Sequence, residues 1–181
     1  MNLPNKLSIA RALCIPAIVI LLYQHDRTCQ IIAGVLFILA SITDFLDGKI
    51  ARKYNLVTDF GKFIDPVADK LLVLTTLIML AEQGVSGPLT EAWVVVVVLC
   101  RELAVDGLRM VAVSKGQVIA AGWLGKIKTT CQMILISVSL LLNLNGFSSW
   151  YMIALTALTV GMTLVSGVDY FVRNRSVFQT K

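Results

Sequence analysis

Apolar residues dominate long stretches of this chain, and short polar breaks divide them into segments of nearly equal length. A helix rises ~1.5 Å per residue and needs ~20 residues to cross ~30 Å of hydrocarbon. That ruler predicts spans over residues 7–24, 29–50, 64–82, 90–113, 127–143 and 149–171. The last two arise from one uncharged stretch, Thr129 to Val168, which as a single helix would reach about 60 Å, twice the bilayer. It must therefore turn, and Asn143, Asn145, Gly146, Ser148 and Ser149 supply the turn chemistry. The expected fold is an all-α membrane protein: six transmembrane helices forming a single integral membrane domain over residues 1–181.

Composition narrows the class further. Hydrophobic residues make up 57% of the chain and charged ones 15%, where soluble domains sit near ~45–50% and ~25%. The mean hydropathy of +0.80 is spread over the whole length rather than confined to one anchor, which excludes an ordinary soluble domain. Lys6 and Arg11 ahead of the apolar run Ala12 to Tyr23 imitate a signal peptide. No small-x-small cleavage site follows, and the run ends in Gln24, His25 and Asp26, so a retained first span is expected. Cys14, Cys29, Cys100 and Cys131 stand far apart with no metal-binding spacing and behave as small reduced hydrophobes.

The net charge of +5 gains meaning once the chain is threaded through those spans. Every Lys and Arg except Arg27 falls on one side or in the half-spans leading to it. That bias places both termini in the cytoplasm. No Lys/Arg run interleaved with aromatics is present, so nucleic acid is not an expected partner. Trp93, Trp123 and Trp150, near segment ends, are expected interfacial anchors.

Against this background the acids in spans two, three and four stand out. A charge at the bilayer centre costs at least ~2.5–3.5 kcal/mol, so ionisable residues kept in spans are functional candidates. Asp44, Asp47, Gly48 and Ala51 share one helical stripe with Arg52 a turn beyond, and Asp65 and Asp69 stand at i and i+4. Two helices can thus aim two carboxylates each into one space, where they would repel strongly unless cations neutralised them. The donors are all oxygens, since His25 falls on the opposite side, and this selects hard cations: Mg²⁺ or Mn²⁺, plausibly as a pair. Gly48 and Ala51 leave room for a ligand backbone, and Arg52 could meet a phosphate; on their own the two small residues would equally signal helix packing. Asp59 is expected to be a solvated loop acid.

The run from Asp44 through Asp47, Gly48, Ala51, Arg52, Gly61 and Asp65 to Asp69 resembles the signature of the CDP-alcohol phosphotransferase family. Softer likenesses extend over almost the whole chain: Asn5, Ser8 and Arg11 near the start, Asp65 to Lys70, Arg101-Glu102, Leu108-Arg109, and Gly125 to Thr130. They are most similar to the bacterial members that use glycerol 3-phosphate as acceptor. The resemblance implies phosphatidyl transfer from CDP-diacylglycerol to the 1-hydroxyl of sn-glycerol 3-phosphate, with release of CMP, in the bacterial cytoplasmic (inner) membrane by a homodimer. It implies a pair of Mg²⁺ ions on Asp44, Asp47, Asp65 and Asp69, with Asp69 also as general base. A metal-bound carboxylate is a weak base, so positioning and charge neutralisation should matter more than proton abstraction.

The donor would meet Gly48, Ala51, Arg52 and Gly61, with Asn5 and Ser8 contributing from a short amphipathic segment on the membrane surface; alternatively Asn5 or Ser8 caps the first helix. An acceptor that carries its own phosphate needs cations near the metal site, and Arg109, Lys126, Lys128 and Arg101 are the candidates. For the two lysines the alternative is positive-inside flanking. For Arg109 it is an internal ion-pair stripe with Glu102 and Asp106, at i, i+4 and i+7. Serine, inositol phosphate or phosphatidylglycerol could replace the acceptor within the family. From a different class, a divalent-cation or proton-coupled transporter would also use intramembrane carboxylates, but no acid in the outer halves of the spans completes a path.

Overall fold

In a computed structural model the chain forms α1 (Leu3–Tyr23), α2 (Arg27–Lys53), α3 (Asp59–Gln83), α4 (Ala92–Ser114), α5 (Trp123–Leu142) and α6 (Trp150–Arg173), followed by a 3₁₀ turn, Arg175–Phe178. The structure describes the backbone of residues 3–53, 59–83, 92–120, 122–142 and 150–178, and the side chains of residues 7–44, 64–83, 92–120, 122–142 and 150–177. No strand occurs among them. Each helix covers one expected span, with ends displaced by a few residues. By length and composition α2, α5 and α6 can cross a membrane; α1 has a shorter apolar part, Leu7–Tyr23. The charged residues of α3 and α4 keep those two below the same apolar threshold.

Helix α1 packs on α2 and α3, α5 joins α2 to α6, and α4 lies against α3 and α6. The main apolar core gathers Ile18, Leu22, Phe37, Leu72, Leu77, Leu80, Val98, Ile136 and Leu140. These come from the half of the bundle where α1 turns into α2. The opposite half buries polar groups instead: Ser8, Arg11 and Lys128 are each at most 3% exposed. Outward faces carry Ile20, Leu39, Ile78, Val96, Leu103, Ile153 and Leu164, each at least half exposed. Such a reversal, apolar outside and charged inside, suits hydrocarbon as solvent.

Local contacts explain the turn end. The Asp26 carboxylate accepts hydrogen bonds from the backbone N–H groups of Thr28 (2.9 Å) and Cys29 (3.2 Å), capping α2. The Cys29 bond, foremost, holds the Asp26 carboxyl below the usual carboxylate range. Arg27, the exception to the charge bias, donates from Nη1 to the Leu140 carbonyl (3.3 Å) and from Nη2 to that of Leu141 (2.5 Å). It thus caps the carboxyl end of α5, where a cation also complements the helix dipole. Gly34 permits the close approach: a Cβ there would lie 3.0 Å from Leu140 Cβ and from Leu141 Cδ2.

Two expectations about the amino-terminal residues change. The helix is continuous from Leu3 to Tyr23, and Ser8 and Arg11 are buried between helices rather than presented by a separate surface segment. Ser8 does not cap the helix either, because it lies in the second turn and its hydroxyl is used across the bundle.

Candidate active site

Three helices meet at the polar end, where Arg11 and Ser8 of α1 reach acids of α2 and α3. The Arg11 guanidinium of α1 lies 2.6 Å from Asp44 of α2, and its side chain is fully excluded from solvent. The Ser8 hydroxyl, a turn earlier on α1, donates to Asp65 of α3. Asp69, one turn beyond Asp65, leaves its Oδ1 buried with no hydrogen-bond partner among the described residues. Its charged neighbours are Asp44, Arg11, Glu102 and Lys128. Asp44 of α2 therefore lies within electrostatic reach of both Asp65 and Asp69 of α3.

A second charged group lies on the α4–α5 side. Lys128 of α5, 3% exposed, donates to Glu102 Oε1, and Arg101 Nη1 reaches the same oxygen at 3.1 Å. Arg101 runs between two helices at glycines: a Cβ on Gly167 would lie 3.2 Å from its Cγ, and one on Gly125 3.6 Å from its Nη2. Lys70, next to Asp69, pairs with Asp106 of α4. The alternative reading, an ion-pair stripe along α4, is not formed, because Glu102 and Asp106 turn to lysines on other helices while Arg109 Nε donates to Tyr170 Oη (3.0 Å) on α6. The Arg109 guanidinium also stands 5.4 Å from the Tyr170 ring centre.

These side chains enclose a cavity of about 240 Å³ between α3, α4, α5 and α6. Asp69 and Glu102 lie at one end, and Arg109 lies two helical turns from Glu102, with Arg101 and Lys126 also on the wall. Lys128 does not line it. That lysine faces a smaller pocket of about 50 Å³ behind Asp69, shared with Glu102, Thr129 and Gln132. An apolar groove of about 430 Å³ runs between α2 and α5 past Ile38, Ile42, Met133, Ile134 and Val138, starting two residues before Asp44.

Asp47, Gly48, Ala51, Arg52, Gly61 and Asn5 lie outside the residues whose side chains are described, as does Asp59. Among the described residues no three of His, Cys, Asp and Glu come together as a group that could hold a metal ion. The donors that are present nonetheless fit a hard cation: carboxylate oxygens only, one of them, Asp69 Oδ1, buried and unpartnered. Lys70 and Thr129 fall within stretches of the family likeness without a site role there, while Tyr170 and Gln132 carry no signal of their own in the sequence. Only their spacing relative to Asp69, Arg109 and Lys128 could have drawn attention to them, and the contacts run between helices.

Residues 1–164 match the family model described as CDP-alcohol phosphatidyltransferase. A CDP-diacylglycerol–glycerol-3-phosphate 3-phosphatidyltransferase of Bacillus subtilis (strain 168) is 44% identical over 193 aligned positions, covering 99% of this chain and 98% of its own. The protein of the same name from Rickettsia typhi is 39% identical over 181 positions, covering 98% and 99%. A probable phosphatidylglycerophosphate synthase of Mycobacterium tuberculosis (strain H37Rv) is 37% identical over 175 positions, covering 95% and 81%.

Proposed function

The chain belongs to the CDP-alcohol phosphatidyltransferase family, and on that premise we propose that it transfers a phosphatidyl group from CDP-diacylglycerol to the 1-hydroxyl of sn-glycerol 3-phosphate, releasing CMP. The observation that carries the acceptor is the 240 Å³ cavity, with the Asp69 carboxylate at one end and cations along its wall. A small molecule with a hydroxyl at one end and a phosphate at the other matches that distribution. Serine has no phosphate for Arg109 and Lys126 to hold.

Asp44, Asp47, Asp65 and Asp69 would hold the divalent ions that the family generally uses, Mg²⁺ or Mn²⁺ and by resemblance a pair, which when bound neutralise the donor's pyrophosphate and the departing CMP. The protein's own residues set the geometry around them. Arg11 and Ser8 orient Asp44 and Asp65, so that neither carboxylate must be ordered when substrate arrives. The Asp69 carboxylate receives the acceptor's hydroxyl proton or aligns that hydroxyl for in-line attack on the β-phosphorus of the donor. Arg109, Lys126 and Arg101 hold the acceptor phosphate away from the reacting end. The α2–α5 groove leads apolar chains from the acids into the surrounding lipid. Gly48, Ala51, Arg52, Gly61 and Asn5 contribute to the donor's nucleotide side on the strength of the motif alone.

The six helices span the bacterial inner membrane, with the termini and the acids on the cytoplasmic side, where both substrates' charged groups reside; the family resemblance adds a homodimer. The test is an acceptor panel: purified protein in detergent, CDP-diacylglycerol, Mg²⁺, and release of CMP as readout. Turnover with glycerol 3-phosphate is the expected result; turnover with serine alone would overturn the acceptor, and metal flux without CMP release would overturn the reaction class.

A further inference from the structure

Glu102 is out of place in a cavity built for an anion. A carboxylate on that wall repels a phosphate unless it is neutralised, and the structure neutralises it through one oxygen only: Lys128 and Arg101 both donate to Oε1. Oε2 has no hydrogen-bond partner among the described residues, and Glu102 lines both the 240 Å³ cavity and the smaller pocket beside Asp69. An ionised carboxylate oxygen only accepts hydrogen bonds, so what it meets in the cavity must carry a donor. Its place along the cavity restricts that donor further. On α4, Arg109 lies seven residues beyond Glu102, about 10 Å along the axis, and Glu102 is at the end shared with Asp69. An acceptor stretched from Asp69 to Arg109 and Lys126 passes Glu102 with the atoms next to its reacting hydroxyl.

We propose that Glu102 is a specificity-determining residue whose Oε2 accepts a hydrogen bond from a second hydroxyl of the acceptor, the one between the reacting hydroxyl and the phosphate. This rests on the acceptor assignment above and deepens it: the cavity selects a vicinal diol monophosphate, not any hydroxyalkyl phosphate. Lys128 is then a positioning residue, which fixes Glu102 by its other oxygen and leaves Oε2 to the substrate. A site that hydrogen-bonds a substrate hydroxyl discriminates against the analogue that lacks it, because the carboxylate is left desolvated and unpaired.

The experiment compares sn-glycerol 3-phosphate with 3-hydroxypropyl phosphate, which lacks only the middle hydroxyl, using the full-length protein in detergent with CDP-diacylglycerol and Mg²⁺. The wild type should favour glycerol 3-phosphate by about 10–100-fold in kcat/KM. Glu102→Gln should shrink that ratio, and the double variant Glu102→Met/Lys128→Met, which leaves no unpaired lysine, should bring it to within about threefold. Equal falls for both substrates with the ratio preserved would reduce Glu102 to a structural residue and overturn the proposal. So would a wild type that uses the two phosphates equally well. Should the variants lack turnover, the ratio is read instead from calorimetric affinities for the two phosphates: a ratio that shrinks in the variants supports the proposal, and one that is preserved overturns it. A wild type that releases CMP with serine but with neither phosphate would overturn the acceptor assignment itself, and this inference with it.

Discussion

Arg11 and Asp44 meet at 2.6 Å across the α1–α2 contact, and the arginine's side chain is wholly withdrawn from solvent while the aspartate keeps about a third of its exposure. A guanidinium buried this deeply is seldom tolerated without a partner. The pair therefore links the packing of the first helix to the orientation of one of the proposed metal-holding acids.

Replacing Arg11 should consequently affect two properties. Arg11→Met is expected to lower the unfolding free energy by about 1–3 kcal/mol, a figure discounted because Asp44 is partly exposed. It should also weaken Mg²⁺ activation severalfold, since Asp44 loses its orienting bond. Arg11→Lys should restore part of the stability and less of the activation, because an ammonium cannot reproduce the fork of a guanidinium. Thermal unfolding in detergent and Mg²⁺ titrations of CMP release separate the two effects.

Asp69→Asn should leave the helical content and Tm nearly unchanged and reduce turnover by at least about 10²-fold. The reason is local: its Oδ1 makes no hydrogen bond among the described residues, so folding gains little from the charge. Circular dichroism alongside CMP release would check this, and a variant that fails to fold would contradict it.

Chelation offers an independent check on the acids. Removing divalent ions with EDTA should abolish CMP release, and Mg²⁺ or Mn²⁺ should restore it, since oxygen-only donors bind hard cations. Restoration by Zn²⁺ alone would contradict the donor chemistry.

The two lysines of α5 should behave differently despite standing two residues apart. Lys126 is exposed and lines the cavity, so Lys126→Ala should raise the KM for glycerol 3-phosphate about 10-fold while leaving the KM for CDP-diacylglycerol unchanged. Lys128→Ala strips Glu102 of one of its two cations and should show as lost stability together with a smaller preference for glycerol 3-phosphate over 3-hydroxypropyl phosphate. Steady-state kinetics with each substrate varied in turn, paired with thermal unfolding, distinguishes the two patterns.

Arg27 is expected to matter for stability alone. Arg27→Ala uncaps α5 by freeing the carbonyls of Leu140 and Leu141, at a cost of about 1–3 kcal/mol. Both KM values should stay at wild-type levels, because the contact lies at the end of the bundle away from the acids. A changed KM for either substrate would show that the two ends are coupled.

Much of this was legible from local pattern. The helices follow from apolar segment length, and their ends fall within a few residues of the expected spans. The nearness of Asp44 to Asp65 and Asp69 agrees with the i, i+4 spacing on α3, though the three do not form a group that could hold a metal ion. The acceptor cations were only partly legible. Arg101, Arg109 and Lys126 do share a cavity, yet Lys128 lies outside it, paired with the Glu102 that lines it, and Asp106 pairs with Lys70 rather than with its own helix. A charge stripe on one helix has several partners of equal merit until the neighbouring helices are placed.

For this protein, then, the sequence by itself determined the helices, their apolar character and the spacing of the acids along them, because hydrophobic length and helical periodicity are properties of single segments. Tertiary structure alone decided which cation meets which carboxylate, where Arg27 is used, and that Glu102 keeps one oxygen for the cavity. Those outcomes depend on the rotation and axial offset of one helix against another. Packing among all six sets both, and no single segment encodes them.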